Sequence, residues 1–142
     1  FKDRYKLEGI KVIHHTELID RLIMEGRISV RSSETSYVYH DPCELGRGCG
    51  IYEQPRRAVS SMGTLVEGAR TEKESICCGG SLGSLTLSFD KRKALTENAL
   101  NNLTVASPDI IVTACPLCRS TFGRYSDRPV KDIAEAVVEN IN

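Results

Sequence analysis

Cysteine placement constrains this chain more than any other feature. Of its six cysteines, five form a spaced set: Cys43, then Cys77-Cys78-Gly79-Gly80, then Cys115-Pro116-Leu117-Cys118. The pattern is C-x33-C-C-G-G, with C-P-L-C beginning after 36 residues that follow the double cysteine. Thiolates bind soft metals, and five of them exceed what a tetrahedral zinc ion or the four-cysteine cage of an ordinary iron–sulfur cluster uses. Two adjacent residues do not easily aim both sulfurs at one metal atom, but they can hold two atoms of a larger centre. The spacing therefore points to an iron–sulfur cluster, and it requires a fold that brings three distant segments to one place.

The rest of the sequence is compatible with that demand. An even cysteine count also fits a disulfide framework, but a chain of 142 residues with 40% hydrophobic content can bury a core without staples. The C-C-G-G and C-P-L-C groupings favour metal in a reducing compartment, so a cytoplasmic protein is expected. The formal net charge is zero, which offers no global basic field for nucleic acid. No apolar run approaches the ~20 residues needed to cross a bilayer, and no signal-peptide pattern opens the chain. Any membrane association, peripheral to the inner membrane, would come through a partner.

Helical and extended patterns alternate, which predicts an α/β fold with a roughly four-stranded parallel sheet and flanking helices. Expected strands cover Lys11 to His14, Ser36 to His40, Thr64 to Glu67 and Asp109 to Thr113. Expected helices run from about Glu17 to Glu25 with Thr16 as N-cap, from Pro55 to Met62, from Lys91 to Thr104 capped by Asp90, and onward from Pro116. Gly26 should end the first of these. Cys43 and Cys115 then fall just past the C-terminal ends of strands, with Cys77 and Cys78 in another loop. Open parallel sheets bind ligands at that edge.

Residues beside the thiols have reasons to be there. Pro116 suits a first helical turn, whose unpaired N–H groups favour thiolate. Gly79 and Gly80 leave room for the backbone to approach a cofactor and to direct N–H groups at sulfur. Arg47 is a candidate to place positive charge near the site, with Arg56 and Arg57 as weaker candidates against a role as surface cations. His14, His15 and His40 lie near the same edge, where a structural hydrogen-bonding role is the commoner one. Cys49 has no motif partner and is left out of the ligand set.

Two short echoes hint at duplication: Phe1 to Tyr5 resembles Phe122 to Tyr125, and Val12 to Leu18 can be laid over Val130 to Ala136. On this reading residues 1 to 142 are one cysteine-rich domain. It would be the C-terminal copy of a longer two-copy protein, with residues 1 to 10 the tail of the preceding copy.

The run from His40 to Arg47, Tyr52, Pro55-Arg56, the Cys77 to Gly80 turn and the Ala114 to Cys118 loop together resemble the cysteine-rich CCG domain. That domain occurs in heterodisulfide reductases, in the iron–sulfur subunits of glycolate oxidase and anaerobic glycerol-3-phosphate dehydrogenase, and in lactate-utilisation proteins. The resemblance spans at least residues 36 to 122. It implies a noncubane 4Fe–4S cluster, or in some relatives a zinc ion, held by Cys43, Cys77, Cys78, Cys115 and Cys118. It also implies a subunit of a multi-component oxidoreductase that relays electrons or reduces a disulfide. Its partner would be a flavin-containing or another iron–sulfur subunit, with a membrane quinone as a further acceptor. The glycine-rich stretch departs from the family pattern as Gly79-Gly80-Ser81-Leu82-Gly83.

Two other functions fit part of the pattern. A zinc-binding structural or docking module needs only four of the cysteines. A thiol–disulfide oxidoreductase would use the C-P-L-C pair, although only 24 residues follow Cys118, too few for the later cis-proline strand that thioredoxin-like sites require. No dinucleotide or phosphate-loop fingerprint is present, so any hydroxy-acid dehydrogenation would belong to another subunit.

Overall fold

The fold is seen in a computed structural model that describes residues 8–142. Four strands, β1 (Ser36–His40), β2 (Thr64–Val66), β3 (Ile110–Thr113) and β4 (Val130–Asp132), form one parallel sheet in the order β2-β1-β3-β4. Five α-helices accompany them: α1 (His15–Met24), α2 (Glu53–Ser60), α3 (Phe89–Leu103), α4 (Pro116–Phe122) and α5 (Ile133–Glu139). The chain leaves β1 in one direction to make β2, then returns to the other side of β1 to make β3. Between β1 and β3 the strand order reverses, and that is where open α/β sheets form crevices at their carboxyl ends.

Both sheet faces are covered, so the central strands read as apolar runs rather than as alternating ones. Tyr37, Tyr39 and Val112 point to a core shared with Ala58 and Val59 of α2 and with Ile133, Ala136 and Val137 of α5, while Ile19 and Ile23 of α1 pack on its edge. Val38 and Ile111 point the other way, against Leu100 and Leu103 of α3 and Phe122 of α4. Each fully buried Val, Ile or Phe in these layers stabilises the fold by about 1.5–3 kcal/mol. The second core also contains Cys78 and Cys118, so two of the thiols are built into the packing.

Several sequence expectations shift. Lys11 to His14 is not a strand, and His14 instead caps α1. Its side chain accepts from the Thr16 and Glu17 backbone while Glu17 accepts from the His14 N–H at 2.7 Å, a reciprocal capping box that replaces the expected Thr16 cap. Gly26 does terminate the helix, with φ +67°. The cap of α3 is Ser88 rather than the expected Asp90, because the Ser88 hydroxyl accepts from the Lys91 N–H. The fourth strand is β4, which carries a single apolar residue and so has no periodic signal.

The echo at residues 12–18 and 130–136 has a structural counterpart. His14 with Glu17 and Asp132 with Glu135 build the same capping box, and these are the residues the overlay pairs. The echo beginning at Phe1 lies outside the described residues.

Candidate metal centre

Residues following β1 and β3 deliver the first two cysteine segments. His40 pairs in register with Thr113, so Asp41-Pro42-Cys43 and Ala114-Cys115 leave adjacent strands side by side. Cys43 has helical backbone angles and starts a π-helical turn, Glu44–Gly48, closed by a 3.1 Å hydrogen bond from the Gly48 N–H to the Cys43 carbonyl. Cys115 keeps an extended conformation as N-cap of α4, with Pro116 in the first turn as its fixed φ favours. One turn on, α4 turns Cys118 inward, where it is buried.

The third segment is fastened by polar contacts that the cysteine pattern does not reveal. Asp41 receives two hydrogen bonds from Arg56, at 2.7 and 2.8 Å, and a third from the Glu72 N–H at 2.8 Å. Arg56 also reaches Glu67, and the Ser75 hydroxyl donates to the Asp41 carbonyl. Arg47 donates to the Ser75 and Lys73 carbonyls at 2.7 and 3.3 Å. The imidazole of His40 donates from Nε2 to the Ile76 carbonyl at 3.1 Å, and its Nδ1 faces the Thr113 hydroxyl at 3.3 Å. A carbonyl only accepts, which assigns the tautomer. Arg47, Arg56 and His40 thus secure residues 67–76, the approach to the double cysteine. Arg57 instead pairs with Asp20 of α1 at 2.6 Å, and His15 lies 4.0 Å from Asp132.

Cys78 ends buried beside Cys118, with 3.3 Å between their sulfurs. The Gly80 N–H approaches the Cys78 sulfur at 3.4 Å, and the Thr96 hydroxyl of α3 donates to the Cys78 carbonyl at 2.8 Å. Gly79 takes φ +79°, a conformation a side chain would strain, and Gly80 lies so close to Thr121 that a Cβ would overlap its hydroxyl. Both glycines therefore serve the turn that presents the two cysteines.

Between these segments lies a cavity of about 380 Å³. Cys43, Cys78, Cys115 and Cys118 line it, together with Cys49 and His14 and the apolar side chains of Pro42, Leu45, Ala114, Pro116 and Leu117. Cys77 is half-buried next to Cys78 and does not line the cavity. Among the described residues no three ligating side chains converge on one point as a single metal ion would need. Cys49, set aside in the sequence, is exposed yet contributes to the cavity wall. His14, expected near this edge at the end of a strand, reaches the wall instead as the cap of α1.

The surroundings hold Cys77 and Cys78 as neutral thiols. Hydrogen bonding with Cys118, then burial, pushes the Cys78 thiol up to about 12 against an opposing hydrogen bond from Cys77. Cys77 is pushed up as well, first by its hydrogen bond to Cys78 and then by burial. His40 is driven down, chiefly by burial, and stays neutral. A cationic centre able to displace the thiol protons would relieve the cost of burying sulfur charge here. The donor set, the cavity and the low polarity fit a thiolate-bound metal group.

Similarity to known proteins agrees with the geometry. The family described as the cysteine-rich CCG domain matches residues 37–123. The chain is 33% identical over 137 residues to one subunit of the dihydromethanophenazine:CoB–CoM heterodisulfide reductase of Methanosarcina barkeri, covering 91% of this chain and 34% of that protein. It is 31% identical over 128 residues to the EtfAB:quinone oxidoreductase of Syntrophomonas wolfei, covering 82% of this chain and 18% of the relative. Against the "Probable iron-sulfur-binding oxidoreductase FadF" of Bacillus subtilis, identity is 27% over 153 residues, covering 99% of this chain and 22% of the relative. The chain thus spans about a third or less of these relatives. No helix among the described residues is long and apolar enough to cross a membrane. With its three cysteine segments gathered at the β1/β3 crevice and the family match running across all of them, this chain belongs to the CCG cysteine-rich domain family.

Proposed function

We propose that this chain is the cluster-binding domain of an iron–sulfur oxidoreductase subunit, with Cys43, Cys77, Cys78, Cys115 and Cys118 as ligands of a noncubane 4Fe–4S centre. The observation that carries the reading is the cavity of about 380 Å³ at the strand-order reversal, walled by four of those five cysteines. It has room for a polynuclear group, and Cys77, next to Cys78 in the chain, is the proposed fifth ligand. Such a centre, when bound, supplies one-electron chemistry or a site for disulfide cleavage. The protein gathers the thiols around one cavity, lines it with the apolar Leu45, Pro116 and Leu117, and aims the Gly80 N–H at Cys78, a contact that tunes reduction potential.

The printed functions of the relatives support the same class: a heterodisulfide reductase subunit, a quinone oxidoreductase and an iron–sulfur-binding oxidoreductase. On this reading electrons arrive from a flavin-containing or another iron–sulfur subunit and leave to a quinone, a carrier or a disulfide. Arg47 acts through the backbone of residues 73–75 rather than on the centre itself. The pairing of Cys118 with Cys78 rather than with Cys115 does not favour a self-contained C-P-L-C dithiol. The matched capping boxes of α1 and α5 support the reading of this domain as one copy of a tandem pair.

Anaerobic spectroelectrochemistry of the intact protein tests the proposal. A broad visible absorption that bleaches and returns with applied potential is the expected result. A colourless, redox-silent protein that nevertheless holds stoichiometric zinc would overturn it.

A further inference from the structure

A second cavity, of about 170 Å³, lies on the opposite side of the Cys77 to Gly80 turn, between α3 and α4. Gly79 and Gly80 form part of its wall, with Arg92, Lys93 and Thr96 from α3 and Ser120 and Thr121 from α4, and Arg124 and Tyr125 just beyond. Three cations line it and no carboxylate does. Lys93 has a partner in Glu97 at 3.6 Å. Arg92 does not: its Nε is buried with no hydrogen-bond partner among the described residues. No ion pair holds Arg124 among those residues either. A buried guanidinium N–H without an acceptor is destabilising, and native structures rarely tolerate one unless something else occupies the place of the acceptor.

We infer that this cleft binds a small oxyanion, a phosphate or carboxylate group, between Arg92 and Arg124. Guanidinium groups present planar, paired donors that match such groups, and neither arginine is in an ion pair among the described residues. The hydroxyls of Ser120 and Tyr125 add donors, while Phe89 and Leu117, both exposed, offer apolar surface for the body of a larger ligand. The cleft volume suits a small organic acid or a phosphate group rather than a nucleotide. The position also couples it to the cysteines. Thr96 lines the cleft and donates to the Cys78 carbonyl, and Gly80 lines the cleft and donates to the Cys78 sulfur. An anion held there is separated from the cysteine site by one turn of backbone.

The inference goes beyond the cluster reading and does not depend on which metal the thiols hold. Calorimetric titration of the intact, metal-loaded protein with inorganic phosphate, and separately with acetate, tests it. Saturable heat with one or both anions is expected, and the tighter of the two identifies the ligand group. Arg92→Gln and Arg124→Gln should each weaken binding by about tenfold or more. Arg92→Lys should retain part of it, and Arg27→Gln, on an exposed cation paired with Glu25, should change nothing. Metal content measured on every variant keeps the two readings separate, because the arginine variants should hold as much metal as the parent. Absence of saturable heat for both anions would overturn the inference, as would binding that persists unchanged in both glutamine variants.

Discussion

Cys118 and Cys78 meet sulfur to sulfur at 3.3 Å inside the second core, each with less than a twentieth of its surface exposed. One comes from the first turns of α4 and the other from the loop before α3. Their meeting pins the double-cysteine turn to the C-P-L-C helix.

Serine at Cys78, Cys115 or Cys118 should therefore cost most of the bound metal, since a hydroxyl replaces a soft thiolate poorly. Cys49→Ser should leave iron content and visible absorption nearly unchanged although Cys49 lines the same cavity. Iron assays and absorption spectra of the four variants check this, and metal loss in the Cys49 variant would place it among the ligands.

The Arg56–Asp41 pair offers a test of the scaffold. Both side chains are buried, with 10% and 2% of their surface exposed. Removing one partner from such a pair costs about 3–5 kcal/mol. Arg56→Met should thus lower Tm by roughly 10–20 °C and loosen residues 67–76. Asp41→Asn combined with Arg56→Met should be less destabilised than additive costs require. Thermal melts of the single and double variants measure it.

Stability of the metal-free protein should fall at both ends of the pH range. His40 has its pKa lowered from 6.5 by burial, so its contribution is present above pH 6.5 and is lost as pH falls through the depressed value. Cys78 has its pKa raised from 9.0 to about 12. Its contribution is present below pH 9.0 and is lost as pH rises toward about 12. Urea midpoints measured across pH should show both limbs, with the acid limb flattened in His40→Asn. Metal loading, which removes the thiol protons, should release protons in proportion to the thiols bound.

Gly80→Ala should be costly for a steric reason. Its Cβ would overlap the Thr121 hydroxyl and sit 3.2 Å from the Thr121 Cβ. Overpacking of this kind costs about 1–3 kcal/mol, and it pushes the double cysteine away from α4. Both Tm and metal content should drop, and Thr121→Gly in the same chain should restore part of each.

Much of this arrangement was legible in the sequence because local chemistry announced it. The apolar runs at Val38 and Ile111, Pro116 at a helix start and Gly26 at a helix end read directly as elements. Four of the five cysteines read as a set, Cys43, Cys78, Cys115 and Cys118, do line one cavity, because they sit at one edge of a parallel sheet. Other parts were not legible because they depend on pairing across the fold. β4 is a strand only because β3 offers it an edge. Lys11 to His14 looked equally extended, but its last residue was needed as a helix cap. The Asp41–Arg56 clamp and the approach of Cys49 to the cavity arise from tertiary contacts with no local signature. The second cavity, with its unpartnered Arg92, is of the same kind.

The cysteine site is proposed to carry a polynuclear iron–sulfur centre held by five thiols. The most direct test is the metal and sulfide content of protein isolated anaerobically from its native host. Roughly four iron and four acid-labile sulfide per chain are expected. Stoichiometric zinc with neither iron nor sulfide would contradict it.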